Sequence, residues 1–226
     1  MRSNQVDAHE PFDDVVAKLQ EDIVVGRLAP GARLVEEELV ERLNTKRHLL
    51  RQAFVELERF GLIERKKNRG ASVRQLTPDD VAQIFAVREI LERAAAIQMP
   101  FPVPKAALAL VDKAQKLHDA AILAGDPKAV FRANFEFHMS LFAACGNPYL
   151  AEAIDDFRKK THVVWSFAIV KPEYFRNAQR EHLAMVKALR EGDRKQLTEL
   201  CVAHLNISRQ AYLETHSLRF KGWSAQ

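Results

Sequence analysis

Cysteine is nearly absent: this 226-residue chain has two, Cys145 and Cys201. They form no close-spaced metal motif and offer no disulfide framework. The fold must therefore rest on an apolar core, and the length allows one large domain or two modest ones. Tyr and Trp are also scarce, at three and two against thirteen Phe, which points to substantial interiors. The most apolar run, Val163 to Val170, has only eight residues, far short of the roughly 20 needed to cross a bilayer as a helix. The N-terminus, MRSNQVDAHEPFDD, lacks the apolar centre of a secretion signal. A cytoplasmic protein without a membrane partner is expected. There is no internal repeat and no low-complexity tract.

Net charge is small overall, with 34 Lys+Arg against 30 Asp+Glu. It is unevenly spread. From Arg42 to Arg74 there are ten Lys/Arg and three Asp/Glu, a local excess of seven where the whole chain has four. A phosphate-contacting surface requires such a concentration.

The pattern in that region predicts a winged helix-turn-helix over residues 1–75. A first helix carries Phe12, Val15, Val16, Leu19, Ile23 and Val24 at helical spacing, through about Val25. A tight connection, Gly26 to Gly31, comes after it. Leu34 to Leu43 reads as a second helix, with Leu39, Val40 and Leu43 on one side. Asn44-Thr45 is turn-prone, and either residue can cap the next helix. Residues 46–60 form that third helix, with Leu50, Ala53, Phe54 and Leu57 as its apolar stripe. Lys46, Arg47 and His48 stand at its start, with Arg51 one turn on. Gly61 ends it. Leu62 to Arg65 and Ala71 to Arg74 pair as a hairpin across a basic tip, Lys66-Lys67-Asn68-Arg69-Gly70. Two helices joined by a short turn are the arrangement that puts the second in the major groove. The DNA-facing candidates are Lys46, Arg47, His48, Arg51, Arg65, Lys67, Asn68, Arg69 and Gly70. The plainer alternative is a small helical subdomain with a solvated basic face.

Residues 76–80 read as a linker, with Thr77 as a helix cap and Pro78 at the first helical position. Residues 81–226 carry helical periodicity throughout. Helices are expected over Val81–Gln98, Lys105–Ala124, Pro127 to about Cys145, Tyr149 to Ile169, Phe175–Glu191, and on to about His216. Residues 217–226 read as a loose tail. Breaks fall at Pro100, Pro102 and Pro104, at Gly125, at Gly146-Asn147-Pro148, at Pro172 and at Gly192. Six helices with short connections make an all-α bundle.

Within that bundle Asn134 and His138 lie four apart, on one helix face. His182 and His204 fall on the last two helices. Three imidazoles and an amide oxygen suit Zn²⁺, Ni²⁺ or a similar borderline cation. Spacing alone does not bring them together, and separated helical histidines also serve as ordinary core or surface residues. Arg88 stands one turn from Glu92. It can form an i,i+4 ion pair or clamp a ligand carboxylate with two parallel hydrogen bonds. His162 reads as an ordinary core or surface residue, with a place beside Trp165 on a cavity wall as the alternative.

Two sets of motifs resemble the GntR family of bacterial transcription regulators. Leu34, Glu36, Leu39, Leu43, Arg47, Arg51, Ala53, Leu57, Gly61 and Leu62, then Asn68-Arg69-Gly70 and Val73, match the family's DNA-binding stretch. Lys46, Leu49 and Gln52 replace its usual Ser, Pro and Glu, and Glu37 stands where Arg is common. Residues 78–216 resemble the effector (FCD) domain of the FadR-type branch. The matches are Arg88-Glu89-Ile90-Leu91-Glu92, Asn134 to His138, Glu181-His182 with Ala188 to Asp193, and His204. Six helices are similar to the VanR-like subgroup. The resemblance implies that Asn134, His138, His182 and His204 hold a divalent metal, Zn or Ni, with neutral Asn134 in place of the commoner Asp. It also implies that Arg88 faces a small organic acid effector, and that a homodimer binds a pseudo-palindromic operator.

The function expected is a metabolite-responsive DNA-binding transcription regulator, a repressor, and not an enzyme. Two alternatives come from other classes: a helical-bundle metalloenzyme, and an architectural DNA-binding protein without an effector. No HExxH pair and no placed general base support the former.

Overall fold

Two units make up the chain, Met1–Gln75 and Leu76–Gln226. The computed structural model describes residues 11–66, 70–164 and 172–221. The wing-tip residues Lys67, Asn68 and Arg69 lie outside these ranges, as does Trp165.

In the first unit, helix α1 (Phe12–Val24) buries Val15, Leu19 and Ile23, residues spaced to share one face. Helices α2 (Glu36–Arg42) and α3 (Arg47–Arg59) come next, and α3 packs on both α1 and α2. The turn between α2 and α3 works because Asn44 adopts φ 44°. Asn tolerates this left-handed conformation better than most side chains. Helix α3 buries Leu50, Ala53, Phe54 and Leu57, the stripe its sequence predicts. It closes on a paired cap, with Leu62 N–H donating to the Leu57 carbonyl at 3.0 Å and Gly61 N–H to that of Glu58 at 2.9 Å. Gly61 permits this at φ 71°. Strands β2 (Ile63–Lys66) and β3 (Gly70–Val73) then pair antiparallel, Ile63 opposite Val73 and Lys66 opposite Gly70.

Two local expectations are corrected here. The second helix does not begin at Leu34. Arg33–Leu34 is a short strand, β1, pairing with β3 so that Leu34 lies opposite Ala71, and the sheet order is β1-β3-β2. A lone buried Leu looks the same in either periodicity, and the sheet edge takes it. Neither Asn44 nor Thr45 is the N-cap of α3. That position is Lys46, which makes no side-chain cap hydrogen bond, and the Thr45 Oγ1 is buried without a partner.

The second unit is helical. Helix α4 (Pro78–Gln98) starts at a capping box, Thr77 accepting from the Asp80 N–H while the Asp80 carboxylate accepts from the Thr77 N–H. Helix α5 (Lys105–Ala124) ends at Gly125, which is left-handed at φ 63°. Helix α6 (Pro127–Ala143) is capped by Asp126 and α7 (Pro148–Lys160) by Asn147. A 3₁₀ turn, His162–Val164, comes next. Helices α8 (Pro172–Glu191) and α9 (Arg194–Lys221) complete the unit. Helix α7 thus stops at Lys160 instead of running to Ile169. Helix α9 continues past His216 into the stretch expected as a tail.

Helix α5 lies against α6 and α8, α9 against α4 and α8, and α4 against α7. Phe137, Leu141, Ile154, Met185 and Leu197 form the heart of the core. Cys145 and Cys201 are both buried and unpaired. No helix among the described residues is long and apolar enough to cross a membrane.

Leu57 of α3 is fully buried in the first unit. Leu57→Ala is expected to cost the first unit about 2–5 kcal/mol, read as a shift of its urea transition. A loss below about 1 kcal/mol would show a site able to collapse around the cavity.

Candidate functional site

On the first unit the basic residues of α3 are exposed and already engaged. Arg51 Nε donates to both carboxylate oxygens of Glu36 at 3.0 Å. Arg47 reaches Glu37 at 3.4 Å. Arg65, on β2, pairs with Glu58 at 2.6 Å and also donates its backbone N–H to that carboxylate. Lys46 and His48 are exposed at the start of α3, and Gly70 opens β3 at φ 78°. Sequence reasoning missed the carboxylate partners, although Glu36 and Glu37 were visible as the first turn of α2.

In the second unit His138 on α6, His182 on α8 and His204 on α9 meet inside the bundle. Their ligating nitrogens all lie within 4.8 Å of one another. Nε2 of His204 is 3.1 Å from Nε2 of His138 and 3.4 Å from that of His182. Zn–N bonds of 2.0–2.1 Å in a tetrahedron put neighbouring nitrogens about 3.3 Å apart, so the spacing fits a borderline divalent ion. Burial first, then nearby positive charge from Arg158 and His204, pushes His138 well below the usual 6.5. Burial and His204 do the same to His182. Both rings are therefore neutral, the form whose lone pair can ligate. Phe137 stacks on His182 with centroids 3.9 Å apart, fixing its plane. Glu181 accepts from Nδ1 of His204 at 2.6 Å, the carboxylate–histidine contact that orients a ligating ring. Asn134 lies one turn before His138 and lines the same cavity, as do His138 and His204.

That cavity has a free volume of about 70 Å³, enough for roughly five waters or a ligand of few heavy atoms. Arg88 reaches it from α4. Its Nε and one terminal nitrogen contact Glu92 Oε1 at 3.0 and 2.8 Å, and the other donates to Thr161 Oγ1 at 3.2 Å. Arg88 thus forms the i,i+4 pair, and it also lines the cavity. Glu92 is 1% exposed and Arg88 7%.

Three further groups share this wall, two of them, Arg158 and His118, without a signal in the sequence. Arg158 sits in the charged run Asp155-Asp156-Phe157-Arg158-Lys159-Lys160 and is nonetheless buried and lines the cavity. Burial, then Arg88, pushes its pKa down to about 9. His118 of α5 is also buried, its ring 4.9 Å from that of His182, and burial lowers it to about 4. His162 lines the cavity, edge-on to Phe131 and Phe135, so the plainer reading of this residue gives way.

A winged helix-turn-helix followed by a helical unit with an internal polar cavity fits a DNA-binding transcription regulator. The chain belongs to the GntR family of bacterial regulatory proteins: its residues 11–73 match that family's own pattern and residues 83–207 match the FCD domain. It is 28% identical over 199 residues to the uncharacterized HTH-type transcriptional regulator BphR of Paraburkholderia xenovorans (strain LB400), covering 84% of this chain and 80% of BphR. It is 26% identical to the HTH-type transcriptional repressor RspR of Escherichia coli (strain K12), covering 89% of each. Among solved structures, a GntR regulator from Rhodococcus sp. RHA1 shares the fold, with a TM-score of 0.71 and 23% identity. That match covers 90% of this chain and 97% of the other. E. coli McbR/YncC shares it too, with a TM-score of 0.68 and 20% identity over 92% and 98%. The chain is therefore a transcription regulator and not an enzyme.

Glu92 carries the counter-charge of a water-poor wall. Glu92→Gln leaves Arg88 without its anion and is expected to cost about 3–5 kcal/mol, measured by urea unfolding of the second unit. A cost near zero would mean that water screens the pair.

Proposed function

We propose that this regulator is a homodimeric repressor whose grip on a pseudo-palindromic operator changes when a small carboxylate binds in the helical unit. The observation that carries the reading is the convergence of three imidazole Nε2 atoms beside a cavity that also holds a buried guanidinium. Asn134, His138, His182 and His204 would hold the divalent cation, Zn or Ni. When bound, that ion supplies a Lewis-acidic anchor for an anionic oxygen. Arg88 takes a carboxylate of the effector, already oriented by Glu92 and Thr161. Neutral Asn134 leaves the donor set less negative than the usual Asp does, which favours an anionic effector. The six long helices among the described residues of the second unit, α4 to α9, support the likeness to the VanR-like subgroup.

On DNA, Lys46, Arg47, His48 and Arg51 face the major groove, and Arg65, Lys67, Asn68, Arg69 and Gly70 form the wing. With Nε held by Glu36, the two terminal nitrogens of Arg51 remain for a guanine edge or a phosphate. Two copies on a palindrome supply affinity and spacing discrimination. The effector acts by binding unequally to the dimer arrangements that fit the operator and those that do not.

Arg51→Ala is expected to cost about 1–3 kcal/mol of operator affinity. Lys67→Ala is expected to weaken binding to all DNA alike and to flatten its salt dependence. Isotherms at several salt concentrations separate the two, and unchanged affinity in both would remove this reading of the head. His182→Ala should lower metal content and blunt the effector response while leaving basal operator binding intact. Glu181→Ala should keep the three ligands yet weaken metal affinity about 10–100-fold. Elemental analysis paired with titrations of the protein–operator complex tests both. A folded protein indifferent to substitution of His138, His182 and His204 would leave the second unit as a dimerisation module only.

A further inference from the structure

The charges on the cavity wall do not cancel. Arg88 has an anion, Glu92. Arg158 has none in contact: Glu92 and Asp155 act on it only through space, among the described residues its side chain makes no hydrogen bond or ion pair, and its Nε is buried without a partner. It is 6% exposed and lines the same cavity as Arg88. Its neighbour Asp155 contacts Lys159 instead. Thr161 ties the two arginines to one wall, accepting from Arg88 at 3.2 Å and donating to the Arg158 backbone carbonyl at 2.9 Å. A buried guanidinium without acceptors is costly, and a fold keeps one where a ligand supplies the missing acceptors. Between the polar groups the wall is apolar, from Val130, Phe131, Phe135, Val164 and Leu205.

We propose that the ligand of this cavity is a short-chain dicarboxylate, one carboxylate on Arg88 and the second on Arg158, its carbon chain against the apolar wall. The inference rests on the reading of the helical unit as a carboxylate-sensing domain and narrows the effector to a class. Arg158 is the residue that separates diacids from monoacids. A monoacid leaves one guanidinium without an anion, and the cavity volume limits the chain to a few carbons.

The test is calorimetric titration of the full-length, zinc-loaded protein at fixed ionic strength. The probes are malonate, succinate and glutarate, each paired with the monoacid of equal carbon number, and inorganic phosphate. At least one diacid is expected to bind about 10–100-fold tighter than its monoacid. In Arg158→Met that ratio should fall to about one through loss of diacid affinity alone, while Arg88→Ala weakens both acids. Without ligand, Arg158→Met should melt higher than the parent protein, because an uncompensated buried charge has gone; a lower melting temperature would assign Arg158 a structural role and overturn the proposal. Arg158→Lys covers the case in which the Met variant does not fold: it keeps the charge but loses the planar fork, and diacid affinity should drop with monoacid affinity unchanged. Equal binding of diacids and monoacids, or a ratio untouched by either variant, overturns the role of Arg158 while carboxylate sensing stands. Phosphate binding as tightly as any diacid overturns the dicarboxylate assignment. No carboxylate binding at all, with Arg88→Ala indifferent, removes the sensing reading itself and this inference with it.

Discussion

A helical bundle that encloses two guanidiniums must answer for their charge in a low dielectric, and here one carboxylate, Glu92, pairs with one of them, Arg88, from inside the core. Much of the local architecture depends on that contact. Glu92 holds Arg88 through two nitrogens, and Arg88 in turn holds the hydroxyl of Thr161. Thr161 is the C-cap residue of α7, and its hydroxyl donates to the Arg158 carbonyl. The end of α7 is thereby fastened to the middle of α4, and the 3₁₀ turn carrying His162 starts from a fixed point. Low dielectric makes each of these contacts strong and makes any missing partner costly.

The histidines obey the same constraint with the opposite result. Burial holds His138 and His182 neutral, so their lone pairs are available instead of protonated. It also leaves the Nδ1 atoms of both rings without hydrogen bonds among the described residues. An interior with this many polar atoms is less stable than an apolar one would be, and the sacrifice lies where ligand chemistry is concentrated. The surrounding core of Phe137, Leu141 and Met185 provides the rigidity that lets three helices present their nitrogens to one point.

The sequence made the frame of both units legible because periodicity and punctuation agree. The stripe of Leu50, Ala53, Phe54 and Leu57, the stop at Gly61 and the capping box at Thr77 can each be read from local chemistry. What local chemistry does not contain is pairing across the fold. Leu34 joins a sheet because Ala71, distant in sequence, presents an open edge. Helix α7 stops at Lys160, where a long apolar run suggested continuation. At the site, Arg88 and the three histidines could be named because they stand in family motifs. Arg158 and His118 could not, since a charged or aromatic residue on a helix gives no sign of which face the bundle covers, and for His162 a place on the cavity wall is only the second reading. Lys67, Asn68 and Arg69 lie outside the described residues, so the wing tip is known only from its sequence.

The acidic partners of α3 bear on how this head moves along a genome. In the DNA-facing role proposed for them, Arg47 and Arg51 would meet any DNA with Glu37 and Glu36 already in place as competing acceptors. A phosphate offers them little more than a carboxylate does, and Glu37 itself repels the backbone. Random DNA therefore gains little from these two arginines. A base edge that accepts hydrogen bonds beyond those the carboxylates already take changes that balance. On that proposal the carboxylates act as a discount on every wrong sequence, shortening the time spent on non-specific sites and leaving more free regulator to search.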